Sequence, residues 1–220
     1  MILKRPCTIP TATRAFTGAC ILHQTILPPA PSRWDNASMN SAYSPVPELN
    51  QLNDLEKQLE GKFISDGFEL IEFGEPKHDG WSDAQEFIES FLSFAYANSS
   101  GSFYALWRMD DRADLSTLPI AVFGDEGGIH LTARDLRDLL RQLASDRPLE
   151  VDWGGASFGE YTGYHREDDG GAQAHETYVA WLNRHFGLVP PDDPNDLIDV
   201  AENEVGAQFK TWIRAFIEET

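Results

Sequence analysis

The stretch that decides the fold is residues 101–144, which read GSFYALWRMDDRADLSTLPIAVFGDEGGIHLTARDLRDLLRQLA. It contains three short apolar runs, at 102–109, 118–123 and 129–133, separated by a polar loop and by a glycine-rich turn. Apolar runs of this length, bounded by turn residues, are typical of β-strands, and short connections favour antiparallel pairing. We therefore predict a meander of three antiparallel strands.

The connection between the second and third predicted strands has the composition of a tight turn. It consists of Gly124, Asp125, Glu126, Gly127 and Gly128. Glycine readily adopts the positive φ angles that such turns need. We therefore expect a structural role for this turn.

A leucine-rich helix is predicted to follow the third strand, to begin at Thr132 or Ala133 and to end at Ala144. Its leucines recur at helical spacing and would face the core. Its charged side chains, Asp138 among them, would face water.

The sequence on the N-terminal side of this block predicts two helices and a hairpin. A leucine stripe indicates a helix over 48–60, and the dipeptide Asp66-Gly67 indicates a hairpin over 63–73. Capping-box spacing from Ser82 to Gln85, followed by a wide apolar stripe, predicts a helix from Ser82 to about Asn98.

The sequence on the C-terminal side predicts one strand, a long loop and further helices. The strand spans 149–153, the glycine-rich loop spans 154–171, and helices follow over 175–186 and from Asp193 to the C-terminus. The fold class is therefore α+β, with a central, mainly antiparallel sheet flanked by helices and with extra C-terminal helices. Four tryptophans on these elements are predicted to lie in the core, namely Trp107, Trp153, Trp181 and Trp212.

Composition divides the chain into a tail and one domain. Residues 1–46 are rich in Thr, Ser, Ala and Pro without structural periodicity, so we expect a disordered tail or a gene-call extension with the biological start at Met39. Residues 47–220 are expected to form a single domain. Both cysteines, Cys7 and Cys20, lie in the tail, which fits a protein of the reducing cytoplasm.

The charge of the chain excludes one class of partner. Its 17 Lys and Arg side chains against 36 Asp and Glu give a net charge of −19, and residues 51–220 alone hold −21. Such a field repels a phosphate backbone, so we expect no binding to nucleic acid. It either favours a cationic partner or serves only to keep the protein in solution. There is also no apolar run of 18 residues, so no membrane span is expected.

Motifs for metals and cofactors are absent from the sequence. The six histidines never pair at metal-ligand spacing, the acidic clusters lack the spacing of a calcium loop, and there is no phosphate-binding glycine motif. We therefore predict no metal site and no cofactor.

One motif suggests an enzyme. Residues 155–159 match G-x-S-x-G, the nucleophile elbow of serine hydrolases, with Ser157 as the nucleophile. Candidate partners follow in the order which that fold uses, namely Asp168, Asp169, His175 and His185. A hydrolase remains the alternative, but residues 160–171 contain three glycines and no apolar stripe for the helix that an elbow needs, so a flexible glycine-rich loop explains the motif more simply.

The 101–144 block resembles the SUKH superfamily, the Smi/Knr-like proteins. The family pattern is a strand with an aromatic residue and a Trp, a Pro-led apolar strand, a Gly-Asp-Glu-Gly turn, a further strand and a Leu-rich helix. The resemblance covers about a fifth of the chain. The Leu-Pro element that family members have near their start is missing here, and the C-terminal helices of this chain have no counterpart in the family pattern.

The resemblance implies a non-enzymatic bacterial protein that neutralises a toxin, for which cationic nucleases are one class of partner. Other members are regulatory interaction proteins, which is a further alternative. No catalytic residue is carried over. If an acidic surface meets the toxin, the expected contacts are two acidic loops with two tyrosines as anchors. These residues are Asp110, Asp111, Asp114, Glu160, Tyr161, Tyr164, Glu167, Asp168 and Asp169.

Overall fold

The computed structural model describes residues 42–161 and 170–217. Its helices are α1 (Pro47–Gln58), α2 (Gln85–Glu89), α3 (Leu136–Leu143), α4 (Gly171–Phe186), α5 (Asn195–Ala201) and α6 (Ala207–Ile213). Its strands are β1 (Glu69–Leu70), β2 (Phe91–Tyr96), β3 (Phe103–Trp107), β4 (Ile120–Phe123), β5 (Ile129–Ala133), β6 (Leu149–Val151) and β7 (Ala156–Phe158). A 3-10 turn spans Leu115–Thr117, and a π-helical turn joins α5 to α6 over Glu202–Gly206.

Five strands form one antiparallel sheet in which each strand pairs with the next in sequence, in the order β1-β2-β3-β4-β5. The predicted meander is confirmed as its last three strands. The remaining two strands, β6 and β7, form a separate antiparallel hairpin. The expected α+β fold, with a central antiparallel sheet and C-terminal helices, is therefore confirmed.

The central strands are buried on both faces. In β3, Tyr104 and Leu106 belong to an apolar cluster that includes leucines of α1, α3 and α4. The alternate residues Phe103 and Trp107 belong to a second cluster, which includes Phe209 of α6. Because side chains alternate across a strand, burial of both faces requires a nearly continuous apolar sequence, which β3 and β4 have.

The helix predicted from Ser82 to Asn98 is wrong. Only the short helix α2 forms, and the residues after Ser90 form strand β2, which pairs with β3. Phe91 and Phe94 are buried in different clusters, on opposite faces of the sheet. An apolar segment that is buried on both sides has no polar face, so its periodicity cannot distinguish a helix from a strand.

The hairpin predicted over 63–73 is also wrong. Asp66-Gly67 does form a turn, in which the Phe68 amide donates to the Ser65 carbonyl oxygen at 3.2 Å. However, the strand that follows, β1, pairs with β2 and not with residues 63–65. A turn sequence such as Asp66-Gly67 predicts that the chain reverses there, but it does not determine which strand pairs with the next one.

The leucine-rich helix is confirmed, but it begins later than predicted. Ala133 still belongs to β5, and the Asp135 side chain caps α3 by accepting from the Asp138 amide at 2.9 Å. Asp138 does not face water: it is 5% exposed, and its carboxylate lies 2.7 Å from Arg134 and 3.5 Å from Arg141. Two cationic partners therefore compensate for its burial.

One carboxylate links α1 to the edge of the sheet at an energetic cost. Glu56 accepts a hydrogen bond from the Leu70 amide at 3.4 Å. Burial, with a smaller contribution from the charge of Glu69, raises the pKa of the Glu56 carboxyl to about 7. The folded protein therefore binds a proton at Glu56 more tightly than the unfolded chain does, so this group destabilises the fold above pH 7 and not below about pH 4.5.

We predict that Glu56→Gln stabilises the protein at pH 8 by about 1–3 kcal/mol, because glutamine keeps an acceptor for Leu70 and removes the buried charge. The gain should shrink as the pH falls to 5. Urea unfolding at both pH values measures it, with Asp54→Asn on the exposed side of α1 as the control. An equal gain at both pH values would contradict the raised pKa of the Glu56 carboxyl in the folded protein.

Candidate functional site

The β6–β7 hairpin packs on the glycine turn between β4 and β5. The Gly124 amide donates to the Gly128 carbonyl oxygen at 3.0 Å, which closes the turn as predicted. The Trp153 ring lies directly over Gly127, and His130 Nε2 donates to the Asp152 carbonyl oxygen at 2.7 Å. The turn is therefore both a reversal of the chain and the surface on which the hairpin tip rests.

Four carboxylates line one groove where the hairpin and the turn come together. The groove has a volume of about 610 Å³ and runs along the hairpin, and among the described residues no Lys, Arg or His lines it. We call this surface the acidic groove and define it by its carboxylates, Asp125, Glu126, Glu150 and Asp152. Glu126 and Glu150 are exposed.

Hydrogen bonds keep one of these carboxylates ionised. Asp125 Oδ1 accepts from Ser102 Oγ at 2.6 Å and from Ser100 Oγ at 2.8 Å. These two hydrogen bonds lower the pKa of the Asp125 carboxyl, because they favour its charged form. Asp152 has a structural role as well, since its Oδ1 accepts from the amides of Gly154 and Gly155 and so shapes the hairpin tip.

Of the two acidic loops suggested as contacts, the structure places the first at the opposite end of the sheet from the described residues of the second. Residues 108–119 join β3 to β4 at the end of the sheet opposite the glycine turn, as the register of β3 and β4 requires. The β6–β7 hairpin lies at the glycine-turn end, where Asn98 Nδ2 donates to the Leu149 carbonyl oxygen at 3.1 Å. Glu160 and Tyr161 follow that hairpin, and both are exposed.

Most of the first acidic loop is engaged within the fold. Arg112 donates two hydrogen bonds, of 2.6 and 2.7 Å, to the Asp110 carboxylate. These hydrogen bonds are the main reason why the pKa of Asp110 is lowered. Asp114 caps the 3-10 turn by accepting from the Ser116 amide at 3.1 Å and from the Ser116 hydroxyl at 2.7 Å. Asp111 is exposed and makes no ion pair within the described residues. Its loop therefore offers less uncompensated charge than its composition suggested.

Four of the suggested contact residues lie outside the described residues, namely Tyr164, Glu167, Asp168 and Asp169.

The geometry of a nucleophile elbow is not present around Ser157. An elbow places its serine on a sharp turn between a strand and a helix. Ser157 instead lies in the middle of β7, opposite Glu150, and residues 159–161 are not helical. Residues 156–158 of the predicted loop are thus the second strand of a hairpin.

The two histidines proposed as partners of Ser157 are engaged elsewhere. His175 Nδ1 lies 2.7 Å from the Ile64 carbonyl oxygen, and His185 packs against the Trp181 ring at 5.4 Å. Within the described ranges, the Ser157 hydroxyl makes no hydrogen bond to a histidine. The same ranges contain no group of three or more His, Cys, Asp or Glu side chains that could hold a metal ion.

Sequence reasoning assigned one large side chain to the wrong environment. Trp107 is in the core as predicted, at 1% exposure, whereas Trp153 is 67% exposed at the hairpin tip. The glycine turn was assigned only a backbone role, yet two of its side chains join the acidic groove. The alternation of Leu149, Glu150 and Val151 was the available signal, since it directs Glu150 away from the core.

Comparison with known proteins finds no matching protein family, no matching curated protein and no matching solved structure. The likeness to the SUKH superfamily therefore depends on the residues of the 101–144 block alone. None of the helices in the described part of the chain has the length and apolar content needed to cross a membrane.

We predict that Gly127→Ala lowers the free energy of unfolding by about 2 kcal/mol or more, because Gly127 has φ +114° and an added methyl group would overlap the Trp153 ring. Chemical denaturation measures the loss. Gly155→Ala is the matched control, since no atom lies within 4 Å of its added methyl group. In a Trp153→Ala background the cost should be smaller; an unchanged cost would show that the ring contributes nothing.

We also predict that a fluorophosphonate probe does not label Ser157, since no histidine within residues 42–161 and 170–217 makes a hydrogen bond with its hydroxyl. Mass spectrometry of the treated protein, with Ser157→Ala as the reference, measures labelling. A stoichiometric adduct that is lost in Ser157→Ala would overturn this expectation and restore the hydrolase hypothesis.

Proposed function

We propose that this chain is a non-enzymatic protein-binding module that neutralises a cationic protein toxin, as the resemblance of its 101–144 block to the SUKH superfamily implies. The observation that carries the proposal is the acidic groove, which four carboxylates line and which no basic side chain lines within the described part of the chain. Complementary charge accelerates association and selects the partner, so a groove of this kind suits a basic protein surface.

Two further properties support the same proposal. The net charge of −19 steers a cationic partner towards the protein from a distance. The hydrogen bonds from Ser100 and Ser102 favour a charged Asp125, which helps the groove to remain anionic in mild acid. A cytoplasmic location belongs to this proposal, since an immunity protein acts where the toxin would do damage.

The test uses the protein encoded beside this one as the candidate toxin, co-produced with this chain in a bacterial host. We expect the wild-type chain to restore growth and to bind the toxin with an affinity that falls as salt increases. Glu126→Lys combined with Glu150→Lys should weaken binding about tenfold or more and flatten the salt dependence.

The matched control makes the same change of charge away from the groove, at the exposed residues Asp83 and Glu176, as Asp83→Lys with Glu176→Lys. It should retain most of the affinity. Equal losses in the two double variants would show that only the net charge matters. Failure to restore growth, with no binding, would rule out the immunity function.

A further inference from the structure

The hairpin tip exposes a tryptophan beside an apolar groove. Trp153 is 67% exposed, although one face of its ring covers Gly127 and its centroid lies 6.4 Å from that of Trp81. Exposure of a side chain this large and apolar is uncommon on a protein surface and is a frequent mark of a contact site.

The groove next to it is large and mostly apolar. It has a volume of about 1040 Å³ and lies between the hairpin tip, β5 and the C-terminal helices. We call it the tryptophan groove, and the side chains that define it are Trp81, Trp153, Ile129, Leu131, Ile213 and Ile217. Lys210, also in its lining, is ion-paired with Glu202 at 2.5 Å.

The helical wall of this groove makes contacts both in the π-helical turn and in α6. In the turn, Arg134 Nη1 lies 3.1 Å from Glu204 Oε1. Within α6, the Phe209 ring is buried against Trp107, with centroids 4.9 Å apart. A wall held in this way resists collapse into the groove, so the apolar surface is available without rearrangement.

The tryptophan groove and the acidic groove meet at the hairpin tip. Gly154, Gly155 and Ala156 line both of them. A single occupant that crosses the tip would therefore meet apolar side chains on one side and carboxylates on the other. Resting on the proposed function, we infer that the tip binds a protein segment of the toxin which places an apolar side chain in the tryptophan groove and a Lys or Arg in the acidic groove.

Charge argues against two other occupants of such a surface, a second copy of this chain and an anionic lipid surface. A second copy would bring another acidic groove and another net charge of −19 to the contact. An anionic lipid surface would be repelled by the same carboxylates. A basic segment with apolar side chains is the chemistry that both grooves accommodate.

The test uses three capped peptides of four repeats each, Arg-Leu, Arg-Gly and Glu-Leu, followed by fluorescence anisotropy and by the indole N–H signal of Trp153 in NMR spectra. We expect the Arg-Leu peptide to bind and to shift that signal. The other two peptides should bind at least fivefold more weakly, because each lacks one of the two chemistries.

Variants locate the binding site. Trp153→Ser and Ile217→Ser should each weaken Arg-Leu binding at least fivefold, and Ile217→Ser does so without altering the contact with Gly127. Val189→Ser changes a side chain that is 55% exposed elsewhere, and it should have no effect. Three results would each overturn the inference. The Arg-Leu peptide could bind the Trp153 and Ile217 variants as tightly as it binds the wild-type protein, or it could fail to bind the wild-type protein. The wild-type protein could also form a dimer that Trp153→Ser dissociates.

The two proposals can fail separately. Suppose that the toxin binds, that Glu126→Lys with Glu150→Lys weakens its binding, and that Ile217→Ser does not. The proposed function then stands, and the inference that one toxin segment occupies both grooves is wrong. If the toxin does not bind at all, the proposed function fails, whatever the peptides show.

Discussion

Burial of β3 and β4 on both faces is the constraint on which the rest of the structure depends. Their alternate side chains supply two apolar clusters, and neither cluster can be shielded from water by the sheet itself. Helices α1, α3 and α4 cover one face, and α2 and α6 cover the other. The C-terminal helices are therefore required by the sheet, because without α6 the face that carries Trp107 would be open to solvent.

This constraint also determines where binding can take place. With both faces of the sheet occupied, the polar and exposed groups that could meet a partner collect at the ends of the strands. At one end, Arg112 and the 3-10 turn engage most of the carboxylates. At the other end, the β6–β7 hairpin rests on the glycine turn and brings four carboxylates and an exposed tryptophan to neighbouring surfaces.

The parts of the fold that were predictable are those with a local signal. The meander and α3 follow from short apolar runs, turn glycines and leucine spacing. The helix predicted from Ser82 to Asn98 failed because burial on both sides removes the periodicity that separates a helix from a strand, whereas the hairpin over 63–73 failed because a turn signal does not select the strand partner. Residues 91–96 pair with β3 as strand β2, although their stripe of apolar side chains indicated a helix. Trp153 is a different kind of error. It was assumed to be buried because it is apolar and was placed in a strand, but it is exposed at the hairpin tip.

The sequence by itself determined the α+β class, the antiparallel meander and the strongly acidic character of the chain, because these depend on composition and on spacing over a few residues. Only the tertiary structure decided which carboxylates line one groove. Asp125 and Glu150 are 25 positions apart in the chain, and they line the same groove because the hairpin packs on glycines that leave no room for a side chain. The identity of a long-range neighbour is set by such packing, which no local pattern encodes.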